Sequence, residues 1–215
     1  MPIRWEDFRA DSAAASAAAI SFLGGPTGVL LHESAHFVAG NANGLLAGHL
    51  IIEKDRRTGS FQPHLDFRDE LLRDVHKFAF LCAAGAVAEV YFCKRVGEHR
   101  LGRDIETYRQ LLPELYTNVA AREIIDDWVD QYLDRIEALS GCIERNFDLC
   151  VELCTTDEYL LDDYYVIPTS DLEPPVERSS MECLREYELT ASMTARRHAL
   201  ARSVLRKENA RDASC

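Results

Sequence analysis

The run His32-Glu33-Ser34-Ala35-His36 constrains the fold of this chain more than any other feature. In a helix, residues four apart lie on one face, so both imidazoles turn to the same side and can reach one ion. Leu30, Leu31, Phe37 and Val38 surround the run with apolar side chains, which places such a helix inside the protein. Gly24-Gly25-Pro26 breaks the chain ahead of it, Thr27 is the expected N-cap, and Gly40-Asn41 the expected stop. With 7 His and 19 Glu in 215 residues, chance alone gives about 0.02 matches to HExxH.

The chemistry this spacing serves is metal binding. Neutral imidazole suits Zn²⁺, which in catalytic sites takes three protein ligands and a water. The glutamate beside the first His projects toward that water and can take its proton. His32 and His36 are thus the expected ligands and Glu33 the expected general base. A third ligand must come from further along, because residues 37–43 read Phe-Val-Ala-Gly-Asn-Ala-Asn and supply no third His. Asp66, Asp69, Glu89, Glu98, His99 and Asp104 are all candidates, and periodicity does not choose among them.

The rest of the pattern is mainly helical. Ala density favours a helix within residues 4–23. Gly48 to Lys54 is β-rich, Asp55 to Gly59 supplies turn residues, and Phe61 to Phe67 reads as a returning strand. Arg68 to Cys93 is helical and apolar nearly all round in its second half. A helix is expected from near Asp104 to just before Pro113. A long amphipathic one follows, with Ile125, Val129, Tyr132, Ile136, Leu139, Ile143, Phe147, Cys150 and Cys154 as its stripe, and Ser140-Gly141 as a place to kink or divide it. The fold class expected is mainly α (α+β), with a small hairpin or sheet. Residues 1–166 form the main domain, the Pro- and Ser-rich stretch 167–180 reads as an extended linker, and 181–215 as a helical tail.

Charge narrows the partners. The net charge is −12, and residues 104–165 hold 16 Asp/Glu against 4 Lys/Arg, so this segment carries the whole imbalance. That pattern suits a solvated helical face and disfavours nucleic acid or anionic lipid as partners. No apolar stretch reads as a membrane span. Seven cysteines without a CxxC pair, and an N-terminus bearing Glu6 and Asp7, make a reduced cytoplasmic setting the expectation. Cys82 and Cys93 read as core residues. Cys150 and Cys154 lie one helical turn apart, which suits packing better than a shared metal.

Several motifs together resemble a known family. HExxH on a helix, then a hairpin, then Leu81-Cys82-Ala83-Ala84-Gly85-Ala86-Val87-Ala88-Glu89, then Gly102-Arg103-Asp104-Ile105, resemble the protease domain of the FtsH-type ATP-dependent zinc metalloproteases over roughly residues 25–155. There the motif reads HEAGH, a Gly-Gly-Arg-Ala-Ala-Glu run follows, and an Asp opening the next helix completes the zinc site. The resemblance implies a zincin-like metalloprotease domain, with His32, His36 and Asp104 as zinc ligands, Glu33 as base and Glu89 as a carboxylate behind the site. Ala35 stands where the family has Gly, Ala86 where it has Arg, and the Thr-Gly-Ala run before the Asp is missing.

The activity implied is zinc-dependent endoproteolysis of peptides or unfolded proteins. No GxxxxGK[ST] loop occurs, so cleavage by this chain is expected to be ATP-independent, with a homo-oligomer or a separate ATPase as compatible partners. Leu50-Ile51-Ile52 is the expected sheet edge for an extended substrate. His49 and His64, near the hairpin, are candidate oxyanion or substrate contacts, though a lone His beside a hairpin reads more simply as a surface residue. The alternative is a binding or regulatory module that keeps the fold without proteolysis.

Overall fold

The computed structural model describes residues 5, 8, 12–43, 48–55, 59–63, 75–97 and 101–172. Helix α1 runs Ala13–Gly24, with the Ser12 side chain capping it by accepting from the Ala15 amide at 3.1 Å. Helix α2, Pro26–Ala42, follows after a single residue, Gly25. The expected Thr27 cap is replaced by Gly25 followed by Pro26 at the first helical position, where proline's fixed φ and missing N–H cost nothing. The helix also runs past Gly40-Asn41 to Ala42, because interior packing outweighs the weak helix preference of those two residues.

Strand β1 is Gly48–Glu53 and β2 is Gly59–Pro63, paired antiparallel with Leu50 opposite Phe61. Strand β2 thus starts at Gly59, inside the expected turn. Helix α3 spans Val75–Cys93. Helix α4 is Leu101–Leu111, the short α5 is Pro113–Tyr116, and α6 is Ala121–Leu153. Helix α6 is continuous through Ser140-Gly141 and about 50 Å long at 1.5 Å per residue. Its buried stripe begins at Ile124 and Trp128, one residue earlier than expected, and joins the expected positions from Tyr132 on. The acidic residues 123, 126, 130, 134, 137 and 148 face outward. Arg135 is buried instead, its guanidinium 3.7 Å from the centroid of the Phe80 ring.

Strand β3 (Leu160–Leu161) and strand β4 (Tyr164–Pro168) complete a four-stranded antiparallel sheet in the order β2-β1-β4-β3. The pairing of β1 with β4, Leu50 opposite Ile167, corrects two expectations. Strand β1 is an interior strand and offers no edge to a substrate. Residues 167 and 168 belong to the sheet, Ile167 is buried, and Thr169–Asp171 and Leu172 continue the packed structure, so the body extends beyond residue 166. Alternation in β4, with Tyr165 and Ile167 inward, carries the signal of a strand buried on one face, which the nearby prolines mask in the sequence. The remainder of the expected linker, 173–180, and the tail 181–215 lie outside the described residues.

Helices α2, α3 and α6 pack on one another and form the core, with α4 against α3 and the sheet against α2. The protein is thus mainly helical with one small antiparallel sheet. Among the described residues no single helix is long and apolar enough to cross a membrane. Helices α1 and α2 reach that length only together, across a 76° bend.

Candidate metal centre

Helix α2 is buried on all sides, so His32, Glu33 and His36 must find partners within the protein. Each imidazole does so on its Nδ1. His36 Nδ1 lies 2.7 Å from the Leu81 carbonyl, which can only accept, so Nδ1 carries the proton. His32 Nδ1 donates in the same way to Glu89 Oε1 at 3.0 Å. Both rings are thereby fixed with a bare Nε2 turned the other way. The two Nε2 atoms lie 3.0 Å apart, and Asp104 Oδ2 sits 3.0 Å from that of His32 and 3.4 Å from that of His36.

Three acceptor atoms face one another here, an arrangement that repels unless a cation stands among them. Zinc bonds of about 2.0–2.1 Å in tetrahedral geometry separate neighbouring ligand atoms by about 3.3–3.4 Å. The observed 3.0–3.4 Å matches that spacing closely, and the donor set of two imidazoles and a carboxylate suits zinc. His32, His36 and Asp104 form a group able to hold a metal ion. Both Nδ1–H groups bond to oxygen acceptors behind the cluster, the arrangement that imidazoles usually adopt when they bind a metal.

Without metal, a proton takes the cation's place. Burial disfavours charge on His32, but Asp104 and Glu89 outweigh it and hold its pKa well above the ordinary value. Burial likewise opposes charge on His36, where the Asp104 carboxylate prevails and raises the pKa. For Asp104, burial favours the neutral acid, yet the two imidazoles hold its pKa well below the carboxylate range. The raised imidazoles stabilise the folded metal-free protein fully below about pH 6.5, and this is lost as pH rises through their folded values. The lowered carboxylate stabilises it above about pH 3.9. From these groups the metal-free protein is expected to gain most between about pH 4 and 6.5, whereas metal binding requires neutral imidazoles and strengthens at higher pH. Melting temperature against pH, with zinc and with chelator, should show the two opposite trends.

Asp104 lies in the first turn of α4, three residues inside its start, so it is not the helix cap. Its side chain is 20% exposed, against 2% for His32, so the cluster opens on Asp104's side. Glu33 is buried and electrostatically coupled to His36. An ideal Cβ on Gly59 would lie 2.8 Å from Glu33 Cγ, so the start of β2 runs directly over this side chain.

No protein-family model, characterised protein or solved structure matches the chain.

Of the expected residues, His32, His36 and Asp104 come together, Glu89 stands behind His32, and Glu33 lies beside His36. Asp66, Asp69, Glu98, His99 and His64 lie outside the described residues. His49 is exposed on β1. Cys82 and Cys93 are buried free thiols. Cys150 Sγ accepts from the Ser34 hydroxyl at 3.7 Å and joins α6 to α2 rather than a metal.

Gly85 is the residue that sequence reasoning missed. A Cβ there would lie 2.5–2.6 Å from three ring atoms of His32, so α3 can approach this ring only where it has no side chain. The signal was present in Ala83-Ala84-Gly85-Ala86, which reads as close packing without saying against what.

Proposed function

We propose that this chain is a zinc-dependent endopeptidase acting on peptides and unfolded protein segments, without ATP. The observation that carries the reading is the convergence of two committed imidazoles and Asp104, with Glu33 buried alongside. His32, His36 and Asp104 would hold the ion. When bound, zinc supplies a Lewis acid that polarises the scissile carbonyl and acidifies the attacking water. Glu33 takes the proton from that water and delivers it to the departing amine. Glu33 is buried beside His36, which shields it from bulk water that would compete for that proton. An intact Glu33 favours a peptidase over a binding module that keeps the fold, since a closed structural ion has no use for a base.

Extended substrate needs a strand edge. Among the described residues, the outer strand of the sheet beside the site is β2, not β1, and its first residue, Gly59, lies against Glu33. A peptide pairing with Gly59–Pro63 would gain backbone hydrogen bonds while its scissile bond lay near the base. The similarity of the motifs to the FtsH-type protease domain supports the same activity.

Purified chain is expected to cut unfolded casein with and without ATP and to spare a tightly folded protein. Glu33→Gln keeps the shape but cannot accept the proton, so turnover should fall by about 10²–10⁴-fold with zinc still bound. Wild-type turnover in Glu33→Gln would refute the assignment.

A further inference from the structure

Glu89 is fully buried on α3, one helical turn beyond Gly85, and its carboxylate holds donors from two separate parts of the chain. Oε1 accepts from Nδ1 of His32 at 3.0 Å, and Oε2 accepts the backbone N–H of Gly97 at 2.6 Å. Gly97 lies in the segment that leads from α3 into α4, four residues before Leu101 and seven before Asp104. One carboxylate therefore joins the first ligand to the stretch of chain that delivers the third.

We propose that Glu89 is a positioning residue that couples His32 to the entry of the Asp104 helix, so that metal binding at His32 Nε2 tightens the backbone at Gly97. This rests on the metal-site reading above. The route is short. The His32 ring lies directly against the backbone of Gly85 and has no room to tilt toward α3. An ion on Nε2 fixes the ring, the fixed Nδ1–H orients Glu89, and the second oxygen then holds the Gly97 amide. Metal also makes the imidazole a stronger donor, and a carboxylate acceptor answers with a shorter, stronger bond. Only a carboxylate can do this. An amide offers one acceptor and one donor, so Glu89→Gln must turn an NH₂ toward either His32 Nδ1–H or the Gly97 N–H.

The test uses the full chain, zinc alone as the ligand, and amide hydrogen exchange at Gly97. In the wild type, zinc should slow Gly97 exchange measurably, because the fixed Glu89 carboxylate holds its amide. Glu89→Gln should bind zinc about 10–100-fold more weakly in chelator competition and lose the zinc-dependent protection at Gly97. A merely structural Glu89 would leave Gly97 exchange indifferent to zinc. Tight zinc binding by the wild type with unchanged Gly97 exchange overturns the coupling and leaves the metal site standing. Wild-type zinc affinity in Glu89→Gln overturns it as well. No zinc binding by the wild type overturns both the metal site and the coupling. Should Glu89→Gln fail to fold, the wild-type exchange comparison still decides.

Discussion

Asp104→Ala should lose zinc under conditions where the wild type retains it, and lose activity with it. The loss should exceed the about 10–100-fold typical of changes behind the ligands, since Asp104 supplies one of the three atoms that converge among the described residues. Helix stability is a separate matter. An Asp serving as an N-cap contributes about 1 kcal/mol, but Asp104 stands inside the first turn and does not cap α4. The variant should therefore fold with its helices intact, keep the His32–Glu89 bond, and fail at the metal. Chelator competition monitored beside far-ultraviolet circular dichroism separates the two effects. Zinc affinity within twofold of wild type would remove Asp104 from the ligand set.

Gly85→Ala should damage the same site from the opposite side, although residue 85 offers no ligand. The added methyl would stand 2.5 Å from His32 Nε2 and Cε1 and 2.6 Å from Nδ1. Contacts under about 3 Å must be relieved, and the atoms involved belong to a ring pinned by Glu89. Either the ring swings away and abandons Glu89 and the cluster, or α3 retreats from α2 and opens the core. Overpacking of this kind costs about 1–3 kcal/mol, which is a fall of roughly 2–12 °C in melting temperature for a domain of this size. Zinc binding should fall with it, and excess zinc should restore only part of the stability. A Gly85→Ala chain that binds zinc as the wild type does would mean that α3 adjusts freely here, contrary to the close packing of α2, α3 and α6.

These two variants also show what the sequence makes legible. His32, Glu33 and His36 are plain because helical spacing turns a linear pattern into geometry. Asp104 is one of six carboxylate or imidazole candidates, since nothing local says which distant residue the fold brings home. Only the resemblance to the FtsH-type protease domain singles it out. Gly85 is recorded as a small residue in an apolar run, yet its purpose depends on what lies against it. The amphipathic helix is visible in its 3–4 spacing, but its phase slips by one residue at Ile124, because Ile124 and Ile125 are equally apolar and only Trp128 decides between them. Strand β4 is hidden by Pro168 and the prolines after it. Its place beside β1 is a tertiary fact, and it moves the substrate edge from β1 to β2. Arg135 reads as a surface charge on an acidic helix until Phe80 is found beneath it.

The central claim is that His32, His36 and Asp104 hold one zinc ion. X-ray absorption at the zinc edge on the purified, zinc-loaded chain tests it most directly. The expected result is one zinc per chain, a shell of nitrogen and oxygen at about 2.0–2.2 Å with the outer scattering of two imidazoles, and no sulfur at about 2.3 Å. A sulfur shell, a single imidazole, or no stoichiometric zinc would contradict it.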